Sequence, residues 1–520
     1  MLLAGWKIMK IIGVIIKRTI SVFAVGILSI LCILSIRYNV KMNFQTFDEL
    51  AVLYTNSYVK EVIVIILLVA TPLMLWFLHE SLNVRRRIIL GVTFILLIIH
   101  AGLSVLWIKY NTYPPLWDQK MVWDTAKIMV EGKELTDKAY FEMYPFQGGM
   151  VYIFALLMRI SGISNPLMIR ILNVMSVIAL DLGIILIGKE LCNSCEQSTI
   201  NELGGITTAI LLIPFLPLVI YTTYVYGTLF SIALITWSFY GTVKMLNTSC
   251  LKWLLIPLFF LPISNVVYTG SIIATVAVVV VIIFNVLVAE KKQLESIMII
   301  AALVILTVIC KRGVSSSFNN RFTVSGNNGI SPIEYLYMGL TSDDGVSGPG
   351  SYNASTLELY NNYNMQGEEY GSENLLPVIE QYMNGSRKAE YFKDKTIYQW
   401  LEPYWGGLSM TIFKWTDYEL PDEFELFLEG GYLENYNVIL SIYIQLMYLF
   451  SLAYVLLTFK EKNFSKILNI VYFIGGFIFY LGWEAKARYC LPYFVLLLPL
   501  AANGIIQSAS IVDNIRRKKQ

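Results

Sequence analysis

Three stretches of this 520-residue chain gather side chains able to do chemistry. The first runs from Tyr113 to Gly149, YPPLWDQKMVWDTAKIMVEGKELTDKAYFEMYPFQGG. Pro114 and Pro115 end an apolar run, Trp117 has the amphipathic ring that favours a water–lipid boundary, and Asp118 follows at once. A carboxylate there can take a proton from an incoming hydroxyl, or it can cap the helix that begins beside it. Spacing leaves both readings open. Met121, Val122, Ala126, Met129 and Val130 recur at helical intervals, which predicts a short amphipathic helix on the membrane surface with Asp118 at or near its N-cap. Asp124 comes about 240° further around such a helix, so the two carboxylates need not share a face. A solvated surface is the simpler reading of Asp124.

The second stretch, GWEAKARYCLPYFVLLLPLAANG from Gly482 to Gly504, sets Glu484, Lys486 and Arg488 just ahead of the last apolar run. Arginine makes forked hydrogen bonds that suit a phosphate, and a lipid phosphate would arrive at this depth. An internal ion pair with Glu484 is the competing reading. The third stretch lies in a long polar segment. Ser331–Asn353 is apolar, then Gly-rich and acidic, as a loop closing over a ligand would be, and Glu390–Trp400 sets Lys393 and Lys395 beside aromatic rings. Aromatic faces with scattered acids and amides suit sugar rings; they also build ordinary small cores.

Other chemistries lack their residues. The two histidines, His79 and His100, lie in or beside apolar runs, so neither a Ser-His-Asp triad nor a histidine metal site is expected. Cys192-x-x-Cys195 has no second pair, no cysteine sits well inside a long polar segment, and neither a P-loop nor a GxGxxG motif occurs. No cofactor is implied, and a divalent metal has no motif behind it.

The elements that must position these residues are membrane helices. Hydrophobic residues make up 56% of the chain and charged ones 15%, against about 25% charged in a soluble domain. That excludes a soluble enzyme, a disordered chain and a nucleic-acid binder. Apolar runs long enough to cross a bilayer fall at 19–36, 61–79, 88–108, 166–188, 203–220, 227–246, 252–268, 271–288, 294–310, 437–458, 466–482 and 489–508. The expected fold is therefore an all-α polytopic membrane protein with about 12 transmembrane helices. The first run, behind Lys7, Lys10, Lys17 and Arg18, reads as a retained helix rather than a cleaved signal. Gly148–Ile163 is apolar but short, and reads as a re-entrant or interfacial helix.

Lys/Arg residues cluster in the connections 81–87, 247–252, 289–293 and 459–465 and in the tail Arg516–Lys519. By the positive-inside rule this places both termini in the cytoplasm and the polar segments 109–147 and 311–436 outside. The second of these carries 18 Asp/Glu against 8 Lys/Arg and clusters Trp400, Tyr404, Trp405 and Trp415, so it is expected to fold as a mixed loop domain capping the membrane part. The chain then divides into N-terminal extra helices (1–87), a transmembrane core (88–310), the loop domain (311–436) and C-terminal helices (437–520).

In their order along the chain, Asp118 in WDQ, the helix after it, YFEMYPFQGG, YMGL…G…YN, K…W and the closing E-x-K-x-R-Y-x-x-P-Y resemble the GT-C superfamily of polytopic glycosyltransferases. The bacterial family 39, protein mannosyltransferase-like branch is the nearest likeness, and it runs from about residue 88 to 508. The resemblance implies a GT-C fold and transfer of a sugar from a polyprenyl-phosphate carrier to an extracytoplasmic glycan acceptor, with inversion. It makes Asp118 the general base, Arg488, Lys486 and Lys395 the ligands of the donor phosphate, and Tyr144, Gln147, Asp124 and Glu484 substrate-binding residues. Cell-wall polysaccharide or teichoic acid is the expected acceptor. The protein-modifying members carry an adjacent Asp-Glu pair where this chain has Asp118–Gln119, which weighs against a protein acceptor. Two rivals remain: a polysaccharide polymerase or ligase using lipid-diphosphate donors, and a transporter or flippase of lipid-linked sugars, for which Asp181 within 166–188 would be the internal carboxylate.

Overall fold

The computed structural model describes residues 2–47, 52–55, 57–82, 86–162, 165–192, 198–288, 293–324, 329–341, 348–352, 355–461, 464–484 and 486–519. Arg85, Cys195, Lys291, Lys292, Lys462, Asn353 and the acidic stretch 342–347 lie outside the described residues. Among the described residues, nine helices are long and apolar enough to cross a membrane: Ile11–Arg37, Tyr58–Phe77, Leu90–Tyr110, Leu167–Cys192, Thr228–Thr248, Thr269–Leu287, Leu294–Phe322, Tyr432–Leu457 and Phe464–Gly482. Two further pairs, Leu203–Leu212 with Pro217–Thr223 and Ala487–Val495 with Leu498–Ile511, bend by 60° and 45°, giving up to 11 if each pair is one crossing. The run at 252–268 forms the shorter apolar helix Leu251–Val267. This is a multi-pass, all-α membrane protein.

Proline explains the breaks. Pro214 has no N–H to continue the helix ending at Leu212, and Pro217 opens the next short helix at its first position. The gap is filled by Tyr436, whose hydroxyl accepts from the Leu216 N–H at 3.1 Å and donates to the Pro214 carbonyl. The helices Tyr58–Phe77, Leu90–Tyr110 and Leu294–Phe322 leave Ile65, Ile66, Phe94, Ile98, Ile305 and Ile309 exposed, apolar faces that need lipid around them. Gly148–Ser161 is a helix of 14 residues, short of the roughly 20 that a crossing needs.

Two segments depart from the sequence reading. The helix at 294–310 continues to Phe322. Beyond it the described residues up to 431 hold helices and turns and no strand, in place of a mixed domain. Among the described residues the one sheet is an antiparallel pair, Tyr38–Lys41 with Val52–Thr55, in the connection between the first two spans. It is tied to the helix Tyr432–Leu457 by the Lys41–Glu434 ion pair, by Asn437 Nδ2 donating to the Val40 carbonyl (3.2 Å), and by Asn39 Nδ2 donating to Ser441 Oγ (3.1 Å). These bonds fold the connection back over the bundle end.

That end encloses a cavity of about 1680 Å³. Its lining comes from the connections 37–58, 110–167, 223–228, 267–269, 322–432 and 482–487 and the helix ends flanking them. These are every second connection along the chain when the shorter helix Leu251–Val267 is counted with the nine spans and the two bent pairs. Among the described residues none of the lining comes from the connections near residues 82, 195, 250, 290 and 460, and all of these but the one near 195 hold a Lys/Arg cluster.

Candidate active site

The helix Trp117–Val130 sets the geometry. It buries Val122, Trp123, Ala126 and Met129 while Met121 and Val130 are exposed, so its apolar face is rotated from the one the spacing suggests. That face packs on Gly148–Ser161, with Trp123 edge-on to Phe154. Leu116 occupies the N-cap and no side chain caps the helix. Asp118 is its second residue, and its carboxylate points into the cavity. The backbone enters through Trp117 at φ +47°, a costly conformation for a bulky residue. The ring is held by stacking on Trp415 (5.8 Å between centroids, 27° between planes) and by edge contact with Phe413 (5.1 Å).

Opposite Asp118 stands Arg488, with Nη2 3.9 Å from Asp118 Oδ2. Arg488 is the second residue of the helix Ala487–Val495, lies over the Tyr489 ring, and has Nη1 2.8 Å from Met410 Sδ. Glu484 is nearly buried and accepts a long bond (3.4 Å) from the Tyr489 hydroxyl. Lys486 and Tyr144 also line the cavity. Gln147 lines it too, and its amide donates to the Tyr226 hydroxyl. Burial raises the Tyr144 hydroxyl pKa well above its usual value, and the nearby charges of Glu484 and Asp118 add to this. Six of the eight residues singled out from the sequence thus meet in one chamber.

Two do not reach it. Asp124 sits on the solvent side of its helix, bonded to Lys120 at 2.6 Å and Lys127 at 3.2 Å. Partial burial works to raise its pKa, but these ammonium partners outweigh it and hold the carboxyl below its usual range. Lys395 is fully buried, and its ammonium donates to the carbonyls of Gly339, Leu481 (3.0 Å) and Trp483 (2.9 Å). Burial lowers its pKa to about 7, with the Glu484 charge pulling upward. Lys395 therefore fastens the helices Pro332–Thr341 and Lys388–Trp400 to the end of Phe464–Gly482. Gly339 packs against that same end so closely that a Cβ would meet the Trp483 backbone.

Several site residues carry no individual signal in the sequence, although Tyr140 opens YFEMYPFQGG and Tyr352 belongs to the YN that closes YMGL…G…YN. Tyr140, Tyr226, Tyr335 and Tyr352 line the chamber, as do Phe47 and Leu53 from the strand-pair connection. The floor is built from the turn 221–226 and the loop 404–411, held by buried polar side chains. Arg170 donates to the carbonyls of Asn111 (3.1 Å) and Tyr113 (2.6 Å). Asn173 donates to Thr222 (3.3 Å) and Tyr224 (2.8 Å), and Asn111 to Thr411 (3.0 Å). Glu402 accepts from the N–H groups of Tyr404 (3.0 Å) and Gly406 (2.5 Å), while burial raises its pKa to about 7.

Gln119 joins the two floor segments. Its amide nitrogen donates to the Met410 carbonyl at 2.9 Å and its amide oxygen accepts from the Val225 N–H at 2.8 Å. This is why a glutamine follows Asp118: a carboxylate here would face a carbonyl with no proton between them. We expect Gln119→Glu to destabilise the protein by about 3 kcal/mol, through a buried charge without its donor, read as a lower melting temperature in detergent. An unchanged melting temperature would show that the clamp carries no weight.

Compared with known proteins, the chain matches no family model and no curated protein. Among the described residues, no group of three or more His, Cys, Asp or Glu side chains is placed to hold a metal ion.

Proposed function

We propose that this protein is a GT-C-like membrane glycosyltransferase that moves a sugar from a polyprenyl-phosphate carrier to a saccharide acceptor on the extracytoplasmic face. The observation that carries this reading is the facing of Asp118 and Arg488 across 3.9 Å in a chamber with a mixed lining. Part of that lining is span ends, Ile272, Ile273 and Phe479, with Ile272 and Phe479 partly open to the outside. An isoprenoid chain fits there. The lining also includes Tyr140, Tyr144, Tyr335 and Tyr352, aromatic and hydroxylated as a sugar site requires. The volume exceeds the roughly 300–1,000 Å³ of a single small-ligand pocket, which leaves room for donor and acceptor together.

The chemistry follows from the two charges. The acceptor oxygen attacks the anomeric carbon as the bond from that carbon to the phosphate oxygen breaks. The hydroxyl proton passes to Asp118, and the polyprenyl phosphate leaves against Arg488, with Lys486 beside it. One displacement inverts the anomeric centre. Placement on the outer face is supported by the Lys/Arg clusters at 81–87, 247–252, 289–293 and 459–465, which fall in connections from which no described residue lines the chamber.

The transporter alternative draws on Asp181, which is buried and bonded to His100 Nδ1 at 2.8 Å. Neither residue lines the chamber, and His100 abuts the backbone of Leu212 and Ile213 at the broken span. The pair therefore fits the support of that break better than a substrate path. The deciding experiment gives the full chain in nanodiscs radiolabelled polyprenyl-phosphate hexoses with cell-envelope glycan. Label should pass to the glycan. Transfer from lipid diphosphates alone would favour the polymerase reading, and none from either donor would end the enzymatic account.

A further inference from the structure

The rim of the chamber beside Asp118 carries an aromatic shelf. Trp117 and Trp415 stack on each other, and both stay about half exposed, at 49% and 59%, while lining the chamber. Their roots are buried. Trp117 meets Phe413 edge-on, Trp415 also contacts Phe413, and Tyr113 closes the row against Phe413 at 5.6 Å. A shelf built on buried rings is rigid, and it is held at the cost of a left-handed backbone at Trp117. Nothing in the folding of the helix requires large apolar faces to stand open there.

We propose that Trp117 and Trp415 form a docking shelf for a pyranose ring of a neutral saccharide. Its role as the acceptor subsite rests on the transfer reading; the binding does not. An indole face is large, flat and amphipathic, and matches the C–H face of a pyranose while the ring hydroxyls project past its edge. Trp117, Trp415 and Asp118 all line the one chamber, so a saccharide docked on the shelf lies in the same space as that carboxylate.

The surrounding charge selects the occupant. The stretch leaving the shelf exposes Asp417, Glu419, Asp422, Glu423 and Glu425. Of the cations around it, Lys414 is drawn over the Phe47 ring, Lys120 is paired with Asp124, and Arg488 faces Asp118 inside the chamber, which Lys486 also lines. Interfacial aromatic anchors work with Lys and Arg against anionic headgroups, whereas a row of carboxylates repels them. The same row repels polyanionic glycans such as teichoic acid and accepts hydrogen bonds from sugar hydroxyls. A neutral saccharide is the ligand that satisfies both the rings and the charge.

The test titrates the full chain in nanodiscs with cellotetraose, chitotetraose, maltotetraose and poly(glycerol phosphate), following tryptophan emission. At least one neutral tetrasaccharide should bind, about five- to tenfold more weakly to Trp415→Ala and within about twofold of wild type to Trp415→Phe, as loss and retention of one stacked ring require. Trp415→Gln serves as the second truncation should the alanine variant fail to fold. Absence of binding by all three sugars, equal binding by the truncated variant, or tighter binding of poly(glycerol phosphate) would overturn the proposal. So would quenching of Trp415 by headgroup-labelled lipids, which would make the shelf a membrane anchor. Sugar binding without transfer from polyprenyl-phosphate donors would leave the shelf standing and remove the transfer reading; transfer that is indifferent to Trp415 would remove the shelf's role as the acceptor subsite and leave the transfer reading standing.

Discussion

Asp118→Asn should lower sugar transfer by about 10²–10⁴-fold, the range a positioned general base contributes. The side chain keeps its shape and loses its negative charge and, with it, its capacity to accept a proton. Folding should be unaffected, because Asp118 makes no cap bond, is 41% exposed, and reaches Arg488 only across 3.9 Å. Donor binding should also persist, since the phosphate is proposed to sit against Arg488. The loss therefore belongs in kcat, with the KM for the polyprenyl-phosphate sugar little changed. A purely electrostatic role for Asp118, holding Arg488 in place, would instead raise the donor KM. Transfer by Asp118→Asn at the wild-type rate, in protein with an unchanged melting temperature, would refute the assignment.

Apolar runs made the membrane helices legible, because spanning a bilayer demands a length and composition that little else does. Each of the twelve runs has a helix at its place, but the sequence could not rank them. The prolines that bend 203–223 and 487–511 are visible as letters, while the 60° and 45° bends depend on what packs against them, such as Tyr436 at Pro214. At the site, Asp118, Glu484, Lys486 and Arg488 could be picked out because charge at a span end is unusual, whereas Tyr144 and Gln147 stood out only through the resemblance of YFEMYPFQGG to a GT-C segment. Lys395 stood out as a charge beside aromatic rings in the long polar segment and answers to another cause: its ammonium satisfies carbonyls at a helix end. Burial, which no spacing reveals, separates the two cases. The chamber floor was hidden for a different reason. Gln119, Arg170 and Asn173 act on backbone groups of residues 111–113, 222–225 and 410, far away in the chain, and a side chain bonded to backbone leaves no complementary residue to find. The strand-pair connection shows the same limit. Residues 1–87 read as extra helices, yet Phe47 and Leu53 reach the chamber.

Arg488→Met should cost about 10²–10³-fold in transfer, as removal of a charge aimed at a developing anion does elsewhere. Methionine is chosen because Arg488 already touches Met410 Sδ at 2.8 Å and lies over the Tyr489 ring, so an unbranched apolar chain can occupy the same groove. Arg488→Lys should recover part of the loss. A point charge restores attraction to the phosphate but not the planar fork that fixes its orientation. The discriminating measurement is inhibition by free polyprenyl phosphate, the leaving group itself. Wild-type protein should be inhibited by this product, Arg488→Met should be nearly indifferent to it, and Asp118→Asn should bind it at least as well as wild type, having shed a negative charge 3.9 Å from the guanidinium. A structural role for Arg488 predicts a different pattern, with a lower melting temperature and transfer lost in proportion to unfolded protein. Retention of product inhibition by a folded Arg488→Met protein would move the phosphate site elsewhere, with Lys486, on the same wall of the chamber, the next residue to replace.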